Sequence, residues 1–300
     1  MSIHGILNVN KPEGKTSFSV VAWLRRLAGE KHVGHAGTLD PIATGVLPVC
    51  FGQATRVVQF LADSNKTYLA EIELGAVTDT FDREGEITRC QDPGGITRTQ
   101  VEKALASFQG SIEQSPPRYS ALKYQGKRHY ELARAGIHVA TKPRRVHIIA
   151  IELIDYKLPL VTIKVECSKG TYIRSLAHDL GQTLGCGAYL KNLTRLQCGP
   201  FVIEDALPVS EIKCLFHKGI WDQVLYPVDT PLLNWNAVIV DRAGELAIEN
   251  GCSISLNKAH HITGDYCRAY SPDGQFIAIL HFLPDQNLWH PDKVFRMDKS

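Results

Sequence analysis

The sequence has no C-x-x-C pair; its eight cysteines (Cys50, Cys90, Cys167, Cys186, Cys198, Cys214, Cys252 and Cys267) are scattered. That spacing argues against a zinc site and a disulfide framework, and predicts reduced, mostly buried thiols. No apolar run reaches the roughly 20 residues that cross a bilayer, and no charged-then-apolar leader opens the chain. The expectation is a cytoplasmic protein with no membrane partner. Internal repeats and low-complexity linkers are absent. So is the ligand spacing of a calcium loop, although Asp79-Thr80-Phe81-Asp82-Arg83-Glu84-Gly85-Glu86 carries acids. That polar, glycine-punctuated stretch reads as a substrate-facing or solvated loop, a candidate hairpin tip.

A large excess of charge is missing as well: the net charge is only +2. Its distribution says more. Between Ser115 and His147 stand Arg118, Lys123, Lys127, Arg128, Arg134, Lys142, Arg144 and Arg145 against one acid, Glu131, a local +7 that leaves −5 for the rest. Clustered Lys and Arg give counterion-release affinity for a phosphate backbone, or form an ordinary solvated basic face. Tyr119, Tyr124 and Tyr130 lie among them, a mixture suited to gripping both phosphates and bases of RNA. With 300 residues and 44% hydrophobic content, the chain can bury a large core, and one large domain plus a small one is expected.

The most informative stretch is Gly34-His35-Ala36-Gly37-Thr38-Leu39-Asp40-Pro41-Ile42-Ala43-Thr44-Gly45-Val46-Leu47. It sets one carboxylate, Asp40, among turn-forming and apolar residues. Pro41 disfavours helix at Asp40, so the carboxylate stands at a stiff, extended point. Either it satisfies its own backbone as a turn aspartate, or it is held there for a task.

This run closely resembles the catalytic-loop motif of the bacterial tRNA pseudouridine-55 synthases, the TruB family. Three more stretches match in order: Asn10-Lys11-Pro12-Glu13-Gly14-Lys15-Thr16-Ser17, then Lys66-Thr67-Tyr68, then Cys167-Ser168-Lys169-Gly170-Thr171-Tyr172-Ile173-Arg174. The resemblance covers roughly residues 3 to 228, with a weaker match in the tail. It implies an α+β pseudouridine-synthase fold: a mixed, mainly antiparallel sheet flanked by helices, over residues 1–228. It further implies a basic RNA-binding thumb insertion at 115–147 and a small PUA-like β-barrel at 229–300.

Local patterns fill in the elements. Gly5–Asn10 reads as a strand, and Thr16 or Ser17 can cap a helix that runs to about Leu27 and closes at Gly29. Val46–Phe51 reads as a buried strand, with a helix opening at Gly52 towards Leu61. Lys66–Leu74 alternates with period two, which puts Tyr68, Ala70, Ile72 and Leu74 on one face. Thr99–Phe108 has helical spacing, and a further helix is expected over Lys127–Ala135. His147–Ile154 and Leu160–Cys167 look paired, followed by a helix from Thr171 to Leu180 with Arg174 beside its apolar stripe. A cation so near a helix start calls for a specific anionic partner, unless it snorkels to the surface. Val209–Trp221 reads as helical. Beyond about Thr230 the expected strands are Ala237–Val240, Ser253–Leu256, Tyr266–Tyr270, Phe276–Phe282 and Val294–Met297, with a turn at Ser271-Pro272-Asp273-Gly274.

The activity implied by the resemblance is isomerisation of uridine to pseudouridine in the T stem-loop of tRNA, by a monomer without cofactor or metal. Asp40 would be the catalytic carboxylate, Arg174 its partner, and Tyr68 the platform under the flipped uracil. His35 would touch the RNA, Tyr172 and Lys169 would support the substrate side, and Lys11, Pro12 and Gly37 would brace the loop. Arg118, Lys123, Lys127, Arg128, Arg144 and Arg145 would hold the RNA backbone. Two other readings stay open: a guide-RNA-dependent relative of the dyskerin type, and a tRNA-binding folding chaperone with modification secondary.

Overall fold

The apolar run after the Asp40 loop becomes a central strand buried on both faces. The structure, a computed structural model, describes residues 3–117, 123–124, 127–128, 142–256 and 264–296, with 123–124 and 127–128 as backbone. The chain begins with β1 (Gly5–Lys11), α1 (Ser17–Ala28), β2 (Val33–His35), β3 (Ala43–Phe51), α2 (Val58–Asp63) and β4 (Lys66–Leu74). It continues through β5 (Ala76–Thr78), β6 (Ile87–Cys90), α3 (Arg98–Ala106), β7 (Gly110–Gln114), β8 (Lys123–Tyr124) and β9 (Lys127–Arg128). Next come β10 (Arg144–Lys157), β11 (Leu160–Cys167), α4 (Ile173–Leu184), β12 (Ala188–Cys198), β13 (Phe201–Val202), β14 (Leu207–Pro208) and α5 (Val209–Lys218). The last elements are β15 (Ala237–Ile239), α6 (Arg242–Glu249), β16 (Tyr266–Tyr270), β17 (Phe276–Leu283) and β18 (Leu288–Val294).

Ten strands form one sheet in the order β14-β1-β3-β12-β4-β11-β10-β7, with β2 paired to β3 and β13 to β12. Only β1–β14 and β3–β12 run parallel; the remaining pairs are antiparallel. Because side chains alternate along a strand, Leu47, Val49 and Phe51 of β3 point into one core while Val46 and Cys50 point into another. The first core is closed by Val20, Val21 and Leu24 of α1, Val101 and Leu105 of α3, and Leu176 and Leu180 of α4. The second continues into Val228, Leu232, Phe276, Ile279 and Phe295. A T-shaped Phe60–Trp235 contact, 5.0 Å between centroids, also packs α2 against the tail.

Local chemistry explains the helix ends. Thr16 accepts a hydrogen bond from the Ser19 amide (3.0 Å) at the start of α1, and Gly29 closes it in the left-handed region. Thr97 and Gln100 form a reciprocal capping box on α3, so that helix begins a residue before the expected start. The Asp79–Glu86 stretch is the tip of the β5–β6 hairpin.

Three expectations need correction. The helix expected from Lys127 does not start there: Lys127 and Arg128 pair antiparallel with Tyr124 and Lys123, and the rest of that span lies outside the described residues. The end of the basic segment, Arg144–His147, belongs to β10 and pairs with β7. In the tail the last strand is Leu288–Val294 rather than Val294–Met297, because the chain turns at Pro284–Asn287 and pairs directly back on β17. Ser253–Leu256 makes only an isolated bridge, Ile254 to Trp289, and α6 was not foreseen. The tail strands form a four-stranded sheet, β15-β16-β17-β18, with a third core around Ile248, Ala269 and Leu280. Among the described residues no helix is long and apolar enough to cross a membrane. All eight cysteines are free, five of them buried.

Candidate active site

The loop between β2 and β3 is held from both sides before any side chain on it acts. Ser17, buried at the start of α1, accepts from the Leu39 amide (2.8 Å) and donates to the Leu39 carbonyl (3.1 Å). The Pro41 carbonyl accepts from the Gly14 amide (2.9 Å) and lies 3.4 Å from the Lys11 ammonium. Lys11 is fully buried and also donates to the carbonyls of Pro12 (2.9 Å) and Lys15 (2.6 Å). Burial pushes its pKa down to about 8, with the Asp40 charge opposing the drop. Two backbone turns are thereby pinned to one cation.

Asp40 projects from this loop with its carboxylate one-third exposed, and its Oδ2 lies 2.9 Å from Nε of Arg174. Arg174 is buried on the first turn of α4. Its Nη1 lies 3.3 Å from Oδ2 of Asp82 and 3.5 Å from the Thr80 carbonyl. Asp82 is itself buried at the β5–β6 tip, and its Oδ1 accepts from the Thr80 hydroxyl (2.7 Å) and the Glu84 amide (3.1 Å). The guanidinium is thus clamped between two carboxylates from distant loops. Only one of them reaches the cleft. The sequence reads Asp82 as part of a solvated or substrate-facing tip; the helix-start argument asks only for some anion beside Arg174, and the resemblance names Asp40 for that place.

Tyr68 opens the core-facing side of β4 and is 9% exposed. Burial pushes its phenol up to about 12, and the neighbouring Arg195 cation works against that rise. The hydroxyl is therefore neutral at physiological pH. Tyr68, Asp40, Arg144, Tyr172, Leu193 and Arg195 border one cleft of about 230 Å³. Lys66 also lines it; its ammonium caps the end of α2 through the carbonyls of Leu61, Ala62 and Ser64.

Other expected site residues fall at varied places. Tyr172 precedes α4, its backbone locked to the Gln114 side chain at 2.7 and 2.9 Å, and the Arg144 guanidinium lies 4.3 Å over its ring. Gly37 lies on the cleft wall with φ +76. Lys169 sits outside the cleft lining and pairs with Asp63 (2.9 Å), both well exposed, an arrangement worth little in water. His35 is half-buried on β2 opposite Val49, away from the cleft lining. Arg145 is exposed on β10. Arg118 lies outside the described residues, while Lys123, Lys127 and Arg128 are placed by backbone alone. Among the described residues no group of three or more His, Cys, Asp or Glu is arranged to hold a metal.

Residues 25–173 match the family model described as TruB family pseudouridylate synthase, N-terminal domain, and 174–233 match the tRNA pseudouridylate synthase B C-terminal domain. The tRNA pseudouridine synthase B of Dehalococcoides mccartyi is 45% identical over 291 residues, 97% of this chain and 96% of that protein. The chain belongs to the TruB family. Another TruB relative, tRNA pseudouridine synthase B of Clostridium acetobutylicum, is 45% identical over 84% of this chain and 85% of its own length. A chain in a crystal structure of a Cbf5-Nop10-Gar1 complex superimposes with a TM-score of 0.74 at 25% identity, covering 97% of this chain and 85% of that one. This TruB chain therefore has the pseudouridine synthase fold, α+β with a large mixed sheet.

Proposed function

We propose that this chain isomerises a uridine in the T stem-loop of tRNA to pseudouridine, with Asp40 as the catalytic carboxylate. The observation that carries this reading is Asp40 Oδ2 at 2.9 Å from the buried Arg174 Nε, at a cleft bordered by Tyr68. The reaction breaks the N-glycosidic bond, turns the uracil and forms a C–C bond in its place. It is redox-neutral and transfers no phosphate, so carboxylate chemistry at the sugar or the base suffices without a cofactor.

Each group then has a task. Arg174 pairs with Asp40 and aims it, and orientation is a large share of what an enzyme supplies. Tyr68 stacks under the extruded uracil, worth roughly 1–3 kcal/mol against the few kcal/mol that extrusion costs. Arg144, laid over Tyr172 at the cleft rim, is the cation this reading assigns to an RNA phosphate. The basic segment 115–147 serves as a thumb on the stem-loop, and the sheet of residues 229–300 as a PUA-like module beside the catalytic domain of 1–228. We take the enzyme to act as a cytoplasmic monomer. The high identity to tRNA pseudouridine synthase B proteins over nearly the full chain favours the stand-alone reading over a guide-RNA-dependent one.

The test is incubation with an unmodified tRNA transcript and chemical mapping of pseudouridine, for the wild-type chain and Asp40→Asn. Product in the T-loop with the wild type and none with Asp40→Asn, at unchanged tRNA affinity, is the expected outcome. Full turnover by Asp40→Asn would remove the catalytic assignment. Unchanged folding of tRNA by both proteins, with no product from either, would favour the chaperone reading.

A further inference from the structure

Arg195 is the largest fully buried side chain among the described residues, at 1% exposure, and the chemistry above gives it no step. It stands on β12 in register with Tyr68 of β4 on one side and Gly45 of β3 on the other. Its Nε donates to the Val46 carbonyl (2.7 Å) and its Nη2 to the Gly37 carbonyl (3.0 Å). Tyr68 and Arg195 border the same cleft, and the Arg195 cation opposes the rise that burial gives the Tyr68 phenol.

Gly37 leaves room for this side chain, and Gly45 for the backbone of the same residue. A Cβ on Gly37 would lie 3.2 Å from Arg195 Nη1, and one on Gly45 would lie 2.3 Å from the Arg195 carbonyl oxygen. Both backbones have positive φ, +76 and +98, where a side chain is strained in any case. A buried cation whose partners are two backbone carbonyls is a costly way to hold a fold together, whereas its fork of donors fixes direction well.

We propose that Arg195 is a positioning residue for the isomerisation: one guanidinium ties the loop bearing Asp40 to the strand that leaves it, from a backbone position in register with Tyr68, and so sets the gap between carboxylate and base platform. This rests on the function proposed above. Arg195 borders the cleft with only 1% of its surface exposed, and its donors go to backbone carbonyls, so its effect passes through the groups it holds. A misplacement of about 1 Å can cost on the order of 100-fold in rate, which makes kcat the sensitive quantity.

The experiment measures kcat and KM on an unmodified tRNA transcript for the wild type, Arg195→Lys, Gly37→Ala, Tyr68→Phe and the doubles with Tyr68→Phe. Lysine keeps the charge and loses the fork. Arg195→Lys is expected to lower kcat about 10- to 100-fold with KM within about threefold, and to shrink the further loss from Tyr68→Phe at least about threefold. Gly37→Ala crowds the guanidinium from the loop side and should likewise couple to Tyr68→Phe. It carries the test by itself if Arg195→Lys does not fold. A folded Arg195→Lys protein with wild-type kcat, or losses that simply multiply in the doubles, would overturn the proposal while leaving the enzyme reading intact. No product from the wild type itself would instead sink the function on which it rests.

Discussion

Neutralising Asp82 without changing its shape is the sharpest probe of the carboxylate–guanidinium–carboxylate chain. At 3.3 Å from Arg174, a unit charge pair at an effective dielectric of about 20 attracts by roughly 5 kcal/mol before desolvation is counted. In Asp82→Asn the side-chain oxygen can still accept from the Thr80 hydroxyl and the Glu84 amide, and Arg174 still has Asp40 at 2.9 Å. The loss should therefore fall below the about 3–5 kcal/mol typical of a fully broken buried pair, near 2 kcal/mol. If that loss appears as poorer aim of Asp40, kcat drops roughly 30-fold. KM should stay nearly constant, because Asp82 lies behind Arg174 and outside the cleft lining. Forming the new C–C bond at uracil C5 expels the C5 hydrogen, so tritium release from a transcript labelled at that carbon follows the reaction directly. Single-turnover release with saturating enzyme separates chemistry from binding. A folded Asp82→Asn protein with wild-type kcat would refute the reasoning, since Arg174 would then owe its aim to Asp40 and its own helix.

Tyr68→Phe keeps the stacking face and removes a hydroxyl held neutral by burial, so tRNA affinity should persist while turnover falls; an unchanged rate would rule out a proton-handling role. Replacing Arg128, Arg144 and Arg145 together with glutamine should weaken tRNA binding and flatten log K against log salt by about 2–3 if each meets a phosphate. An unchanged slope would return that segment to a plain solvated face. Burial lowers the Lys11 pKa from 10.5 to about 8, so between about pH 8 and 10.5 the unfolded chain binds more protons than the folded one. The contribution of this site to stability therefore rises with pH across that window. Lys11→Met should remove the rise, as denaturant titrations of both proteins at pH 8 and 10 would reveal; parallel curves would contradict the shift.

Much of this was legible in the sequence because it depended on short-range rules. The period-two pattern of Lys66–Leu74 located Tyr68 on a core face, and the Thr16 and Gly29 signals bounded α1 to within a residue. Of the two readings open for Arg174 at a helix start, an anionic partner or a snorkel to the surface, the structure has the side chain buried beside Asp40. What escaped was long-range. Asp82 looked like any acid in a turn, and its burial depends on a hairpin folding over α4 more than 90 residues later in the chain. Arg195 sits in an alternating strand, where a polar residue reads as outward-facing, yet its side chain runs inward to two carbonyls. Helix α6 was missed because its eight residues are too few for periodicity to stand out against the flanking strands.

The tail sheet does not hang from a tether. Phe276, Ile279 and Phe295 share an apolar cluster with Ile6, Val46 and Phe201, and Tyr226 exchanges backbone hydrogen bonds with Ile6 at 2.8 and 2.9 Å. Val46 is also the residue whose carbonyl anchors Arg195. A chain cut short near residue 233 would leave the tail-facing side of β1 and β3 in water. Shortening this protein for crystallisation or engineering would thus wet the strand whose Val46 carbonyl holds Arg195, however far the removed residues lie from any RNA.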